Sequence, residues 1–222
     1  SKSLPKNIGV VIVKHANPCG VSALKNDLDS YKFALACDPI SAFGGIVSCN
    51  FKITKNLAME LNKIFLEVII ANGFDKNALK ILESKKNLRL IDASNFSLND
   101  ILKLNSIGNV MLIQSEDKFH FSKRNFKIVS KKKPNKFQFD NLIFAFNICR
   151  YVKSNAIVLV GNKSTVGIGS GQSSRLDSCQ IAIDKMNKFN KTENEIVAAS
   201  DAFFPFVDGI EKLVQAGVSA VV

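Results

Sequence analysis

The sequence predicts an α/β fold, with helices layered on a largely parallel or mixed sheet. Two observations carry that expectation. Short β-branched apolar runs alternate along the whole chain with stretches of helical spacing. Gly, Pro or Asn stands at most of the junctions between them. The composition agrees: 222 residues, 46% hydrophobic and 22% charged, is ordinary for a globular chain.

Ile8 to Val13 is a buried-strand pattern, and Pro18 and Gly20 are expected to end it in a loop from Lys14 to Gly20. Leu28, Tyr31, Ala34 and Leu35 have helical spacing, and Asp38-Pro39 stops that helix. Ile46 to Cys49 reads as a strand. Leu57 to Phe65 reads as an amphipathic helix with a basic outer face. Strand, helix and strand follow at Glu67 to Ala71, Asn77 to Ser84 and Leu88 to Ile91. The stretch from Ala93 to Ser106 is polar and gives no clear pattern. Val110 to Gln114 reads as a strand.

The second part repeats the alternation, although no residue-level internal repeat is visible. Glu116 to Lys136 is charged and carries repeated Phe, the pattern of a linker or irregular connection. Phe139 to Val152 is a long helix. Asn155 to Val160 and Thr165 to Ile168 are strands around a Gly161-Asn162 turn. Ser178 to Phe189 is helical, Ile196 to Ala199 a strand, Ile210 to Ala216 a helix and Val218 to Val222 a strand. The expected organisation is a first α/β half over 1–115, a connection over 116–136 and a second half over 137–222. Val218 to Val222 is apolar where a chain end is usually polar, so a piece of a longer protein is expected.

No run approaches the roughly eighteen apolar residues of a membrane span. Ser1 to Lys6 lacks the apolar core of a secretory signal. The five cysteines are scattered with no CxxC pair, as expected of reduced thiols in the cytoplasm. The formal net charge of +11 makes nucleic acid a candidate partner. The lysines are spread among many Asn, Ile and Phe, though, a mixture that an AT-rich genome also produces. A basic nucleic-acid-binding α/β domain stays open as an alternative reading.

Four places could carry chemistry. Lys14-His15 follows the first strand, and ligands bind at strand ends in open α/β sheets. The neighbouring ammonium favours a neutral imidazole that can accept a proton. The plain alternative is a surface or capping His, the reading also given to His120. Gly167-Ile168-Gly169-Ser170-Gly171 turns into Gln172-Ser173-Ser174-Arg175, exposing N–H groups at a helix start. Arg175 adds a fork of donors, or the segment is a tight turn with a surface Arg. Asp201 to Asp208 sets Phe203, Phe204 and Phe206 around Pro205, a wall suited to a flat heterocycle. Asp208 could recognise the amidine edge of a pterin, or cap a helix beside core Phe residues. Ser41 to Gly45 is a similar loop or a plain turn. A Cys19–His15 nucleophilic pair lacks an orienting third group. No HExxH, EF-hand or HxE with PCxxC pattern occurs, so no metal site is expected.

KHANPCG (14–20), DPISAFGGIV (38–47), EVIIA (67–71), RYVKSNAIVL (150–159), GIGSGQSSRLDS (167–178) and SDAFFPFVDGIE (200–211) occur together in this order. Together they resemble the AICAR transformylase domain of the bifunctional purine-biosynthesis family that also carries IMP cyclohydrolase. The resemblance implies a cytidine deaminase-like α/β fold, duplicated within the domain and without zinc. It implies formyl transfer from 10-formyltetrahydrofolate to the 5-amino group of AICAR, giving FAICAR. Carried over, His15 is the proton acceptor and Lys14 the cation for the developing oxyanion. Gly44, Glu67, Asn155, Arg175 and Phe203 match AICAR contacts, and Leu176 and Asp208 match folate contacts. The family's homodimers place active sites at the interface, with no nucleic acid and no membrane involved. The cyclohydrolase domain and an Arg-Tyr phosphate-gripping segment would precede Ser1. The last folate loop would follow Val222. A truncated, non-catalytic fragment is therefore a further reading.

Overall fold

The computed structural model describes residues 1–96, 102–190 and 195–222. In chain order its elements are β1 (Gly9–Lys14), β2 (Asn17–Ala23), α1 (Asp27–Cys37), β3 (Gly45–Cys49), α2 (Lys55–Leu61), β4 (Leu66–Ala71), α3 (Lys76–Leu82) and β5 (Arg89–Asp92). A hairpin, β6 (Leu102–Ile107) and β7 (Val110–Ser115), and a 3-10 turn (Lys123–Asn125) lead to α4 (Lys136–Cys149). Then come β8 (Ile157–Gly161), β9 (Ser164–Gly169), α5 (Arg175–Phe189), β10 (Val197–Ser200), α6 (Asp208–Gln215) and β11 (Ala220–Val221).

Nine strands form one mixed sheet in the order β11-β10-β8-β9-β2-β1-β3-β4-β5. Strands from 9–92 occupy one side and strands from 157–221 the other, joined where β2 meets β9. β3, β4 and β5 run parallel, as do β10 and β11; the hairpins and the junction are antiparallel. The order of pairing repeats. In each part a hairpin is followed by a helix, a strand antiparallel to the hairpin's first strand, a second helix and a parallel strand.

The repeat extends to single hydrogen bonds. Asn50 N donates to Gly9 O at 3.0 Å, as Asp201 N donates to Ala156 O at 3.3 Å. Asn50 Oδ1 accepts from Gly9 N at 2.9 Å, as Asp201 Oδ1 accepts from Ala156 N at 3.1 Å. Ser30 Oγ reaches Ile8 O at 2.9 Å, and Ser178 Oγ reaches Asn155 O at 2.8 Å. The sequence shows no residue-level repeat because only isolated side chains, Asn50 with Asp201 and Ser30 with Ser178, take part in these bonds, and the residues between them diverge.

Strand residues alternate between faces. Val10, Ile12, Val47 and Ile69 pack with α1, α2 and α3 on one face. Ile157 and Leu159 meet α5 and α6 on that same face, where α1 and α5 touch. Val158, Val160, Val197 and Ala199 face the other way and lie under α4. α1 and α5 sit so close to the sheet that only glycine fits beneath them. A Cβ on Gly20 would stand 1.8 Å from Ala34 O, and one on Gly167 would stand 2.1 Å from Ala182 O.

Side-chain caps set the helix starts. Asn26 Oδ1 accepts from Asp29 N at 3.0 Å, with Asp27 and Asp29 in the first turn of α1. Asn135 and Gln138 form a reciprocal capping box at α4.

The loop expected from Lys14 to Gly20 is instead a tight turn at His15-Ala16, with φ of 49° and 63°, and β2 begins at Asn17. Pro18 is tolerated in the strand because the register slips opposite Ile12/Val13. The second hairpin turns at Asn162-Lys163, φ 44° and 56°, one residue beyond the expected Gly161-Asn162. α2 ends at Leu61 rather than Phe65. The polar stretch 93–106 is described only in part, 97–101 lying outside the described residues; β6 begins at Leu102 and is exposed throughout. In the 116–136 connection, Phe121 and Phe126 stack edge-on against Phe146 of α4, at 4.8 and 5.4 Å between centroids.

Gly167→Ala should cost about 1–3 kcal/mol through overpacking. Urea unfolding of the variant against the parent checks this. A loss below about 0.5 kcal/mol, the usual range of a neutral surface change, would mean that α5 does not lie this close to β9.

Candidate active site

β1, β9 and β10 end at one rim of the sheet, where β3, β4 and β8 begin. Lys14, Gly44, Glu67, Asn155, Arg175 and Phe203 all lie along that rim. They fall into two groups. β1 and β8 are three places apart in the sheet order, with β2 and β9 between them.

The first group surrounds Lys14. Its Nζ donates to Phe43 O and Gly44 O, each at 2.9 Å. Gly44 has φ +67°, and a Cβ there would lie 2.8 Å from Nζ. Glycine is thus required twice, by the left-handed backbone and by the lysine resting on it. Gly44 N donates to Phe65 O at 2.8 Å, and the Phe43 and Phe65 rings stand 5.4 Å apart. His15 is exposed at the hairpin tip beside Lys14. Glu67 is half-buried and accepts from Arg89 Nη1 at 3.1 Å across β4 and β5.

The second group is a closed polar network. Arg175 is the first residue of α5 and only 13% of its side chain is exposed. Its Nη1 donates to Ser200 Oγ at 2.7 Å and to Asp201 Oδ1 at 2.5 Å; its Nη2 donates to Asn155 Oδ1 at 2.8 Å. Asn155 Nδ2 in turn donates to Gln172 O at 2.9 Å and Ser173 O at 3.0 Å, fixing the glycine-rich turn. Asp201 also accepts from Ser154 Oγ and from Ala156 N. Burial pushes the Asp201 carboxyl up. Hydrogen bonds from Ser154, Arg175 and the Ala156 N–H, with the guanidinium charge, outweigh burial and hold it below the ordinary carboxylate range.

The two groups are tied through the main chain of Lys153. Its N–H donates to Asn17 Oδ1 at 2.9 Å, and its carbonyl accepts from Gly171 N at 2.8 Å. Asn17 opens β2 directly after the His15 turn, so the hairpin tip and the glycine-rich turn share one anchor.

Phe203 and Phe206 are 80% and 73% exposed. Phe204 alone tucks in, with the Arg175 guanidinium 5.9 Å from its ring centroid. Asp208 is exposed as the first residue of α6 and accepts from Gly209 N at 2.7 Å; the N-cap position belongs to Val207. Leu176 is half-buried beside Arg175. Cys19 points into the core toward Ile12 O at 3.6 Å, and burial pushes its thiol up to about 11, which removes it as a nucleophile paired with His15. No group of three or more His, Cys, Asp or Glu among the described residues could hold a metal ion. Nor is any described helix long and apolar enough to cross a membrane.

Sequence reasoning placed Asp201 at the head of the Phe-rich loop but gave it no role. It also missed Ser154, Ser200 and Phe65. The Ser200-Asp201 pair at a strand's end was the available signal, since an acidic residue at a sheet rim near an Arg invites pairing.

A strand-end site with a basic hairpin tip, a glycine-rich turn and an exposed aromatic loop is the layout of an α/β enzyme. The family described as "AICARFT/IMPCHase bienzyme" matches residues 2–185. A "Bifunctional purine biosynthesis protein PurH" of Rhodospirillum rubrum is 44% identical over 96% of this chain and 42% of its own length. Proteins of the same name from Leptospira biflexa and Acetivibrio thermocellus are 43% and 40% identical, over 99% and 96% of the chain. The chain belongs to the AICARFT/IMPCHase bienzyme family, and it spans about two fifths of the length of these relatives.

The lowered Asp201 carboxyl stabilises the fold above the ordinary Asp value of about 4, and this contribution fades as pH falls through the native value. Asp201→Asn should therefore destabilise the protein on the order of 3 kcal/mol at neutral pH, by leaving Arg175 short of a charged partner. The deficit should shrink below pH 4. Melting temperatures of parent and variant between pH 3 and 7 would check this; a constant offset would remove the ion pair from the stability of the rim.

Proposed function

We propose that this chain forms the AICAR-binding and formyl-transferring part of a purine-biosynthesis enzyme. On this reading it transfers a formyl group from 10-formyltetrahydrofolate to the 5-amino group of AICAR. What carries the reading is the gathering of the residues that match the family's substrate contacts along one sheet rim, within a chain of that family. The longer protein would also carry IMP cyclohydrolase. The repeated strand order supports the duplicated, cytidine deaminase-like description of the fold, and zinc has no part in the proposed chemistry.

The AICAR amine is a poor nucleophile, because its lone pair is conjugated with the imidazole and carboxamide. Orientation comes first, and near-attack positioning is worth up to roughly 7–11 kcal/mol in ideal cases. Asn155 has both Nδ2 hydrogens engaged by Gln172 O and Ser173 O, so it would meet the carboxamide through Oδ1 as an acceptor. Arg175 acts largely through Asn155, since its fork is directed at Asn155, Ser200 and Asp201. Its role is thus more one of positioning than of a free donor. His15 accepts the amine proton as the nitrogen attacks. Lys14 uses two of its three N–H groups on Phe43 O and Gly44 O, leaving one for the formyl oxygen as negative charge develops. Phe203 and Phe206 offer aromatic faces to the heterocycles, with Leu176 and Asp208 on the folate side. Tetrahydrofolate leaves with its nitrogen reprotonated.

Two polar groups on one rim, linked through the main chain of Lys153, fit a site completed by a second copy of the chain. On this reading the enzyme is a cytoplasmic homodimer in which some rim residues serve the partner's substrate. The exposed β6–β7 hairpin supports it. Leu102, Leu104, Met111 and Ile113 share one face of the hairpin, each more than half exposed, and a lone two-stranded hairpin is marginal in water.

In the longer protein, His15→Ala should lower kcat at least about 10²-fold while AICAR affinity changes little. Steady-state kinetics with a titration of AICAR would decide; near-full turnover would remove His15 from the mechanism. Asp208→Ala should raise the folate KM far more than the AICAR KM. An equal rise in both would make Asp208 structural.

A further inference from the structure

The repeated strand order places two equivalent beds on the face of the sheet opposite α1 and α5. Under α4, the bed of the second part consists of Val158 and Val160 on β8, Val197 and Ala199 on β10, and Ala220 and Val222 at β11. The first four are 0% exposed. The shared hydrogen bonds of Gly9 with Ala156 and of Asn50 with Asp201 fix the counterpart in the first part. It consists of Val11 and Val13 on β1, Ile46 and Ser48 on β3, and Val68 and Ile70 on β4. The cross-strand pairs agree. Ile46 faces Val68 and Ser48 faces Ile70, as Val197 faces Ala220.

Every residue of this counterpart bed is partly exposed. Five of the six are β-branched and apolar, the composition of a strand face that packs against something. Among the described residues no helix packs on it as α4 does on the other. An open cavity of about 280 Å³ runs between the end of α4 and this bed, lined in part by Ser1, Leu4, Val11, Val13, Pro18 and Ile148.

The chain also enters the first part as a helix leaves the second. After α4, Val152 N donates to Cys149 O at 3.0 Å, and Cys149 Sγ meets Ala199 O at 3.7 Å. Likewise Leu4 N donates to Ser1 O at 2.9 Å, and Ser1 Oγ meets Ser48 Oγ at 2.8 Å. Ser48 is the counterpart of Ala199, so Ser1 stands where the last residue of an α4-like helix would stand.

We infer that the Val11–Val13–Ile46–Ser48–Val68–Ile70 bed seats an amphipathic α-helix joined directly to Ser1 in the longer protein. The length of the relatives, of which this chain is about two fifths, leaves ample sequence to supply it. The helix lies beside α4, closes the cavity and clamps Val13 and Ile46 from above. These two flank Lys14 and Gly45, so the helix also steadies the basic corner of the rim. The inference rests on the strand repeat and the exposed bed, and holds or fails whatever the enzyme's substrate.

Thiol labelling of protein extended upstream of Ser1 tests this. Val68→Cys places a reporter in the bed, and Val129→Cys, on a residue 87% exposed, is the open reference. The five native cysteines are buried and give a slow background. Val68→Cys should react at least about tenfold more slowly than Val129→Cys, at a rate independent of protein concentration, as expected of local opening. Deleting the roughly four helical turns joined to Ser1, about the length of α4, should restore fast labelling. Equal rates in the extended protein, protection that survives the deletion, or protection that grows with protein concentration each overturn the inference, the last by giving the bed to a second copy. Ile46→Cys repeats the measurement on β3 should Val68→Cys lose native circular dichroism.

Discussion

The seam between β2 and β9 is the constraint on which the rim depends. Its strand register rests on the single pair Ser22 and Ser164, backed by Ala23 N donating to Lys163 O at 3.0 Å and by a set of hydroxyl groups. Ser22 and Ser164 share a hydrogen bond of 2.7 Å, and Thr165 Oγ1 accepts from Val21 N at 2.9 Å and reaches Val21 O at 3.3 Å. All three hydroxyl side chains are fully buried. An unpaired hydroxyl there would carry a desolvation penalty, so the partners hold one another in register. Slip by one residue would turn one part's core side chains to the opposite face. It would also carry Lys14 and Asn155 out of line.

From that seam outward, the rim is assembled by two kinds of interaction. On the Lys14 side the main chain does the work, with two carbonyls receiving the ammonium and a glycine making room for it. On the Arg175 side ionised side chains form a closed network, in which Asp201 receives N–H and O–H donors from three directions. The first arrangement leaves a charged group able to meet a ligand. The second spends its charges internally and presents the surroundings of Asn155 as a fixed surface. The formyl transfer proposed above, with a planar substrate and a developing charge, would draw on both properties.

Much of the fold was legible in the chain. The Val- and Ile-rich runs at β1, β4 and β8 and the spacing of α1, α4 and α5 all lay close to where periodicity put them. β2 was not, because Pro18 and Gly20 are turn residues by propensity. They serve in a strand because the register slips at Val13 and because α1 presses on Gly20. β6 was missed because Lys103, Asn105 and Ser106 made the stretch read as polar, although Leu102 and Leu104 alternate with polar neighbours as a strand requires. Motif residues on the rim could be named from the sequence, but their partners could not. Arg175 with Asp201, and Lys153 with Asn17, are pairings across long stretches of chain, and nothing local announces them. The repeat escaped notice for a related reason, since the side chains that mark it, Asn50 with Asp201 and Ser30 with Ser178, are isolated positions in otherwise different sequences.

At the far rim, the residue in Asp201's place is Asn50. There the carboxylate's task is exchanged for an amide's: Asn50 Nδ2 donates to the carbonyls of Ser1, Leu4 and Pro5, and its Oδ1 accepts from Gly9 N. An amide both gives and receives hydrogen bonds, so it can tether an incoming strand of peptide without needing a counter-charge. The same corner of the strand order is thus a socket for a guanidinium in one part and a mooring for the chain itself in the other. That division leaves the molecule with a working edge and a sealed edge, even though the two are built from the same sequence of strands.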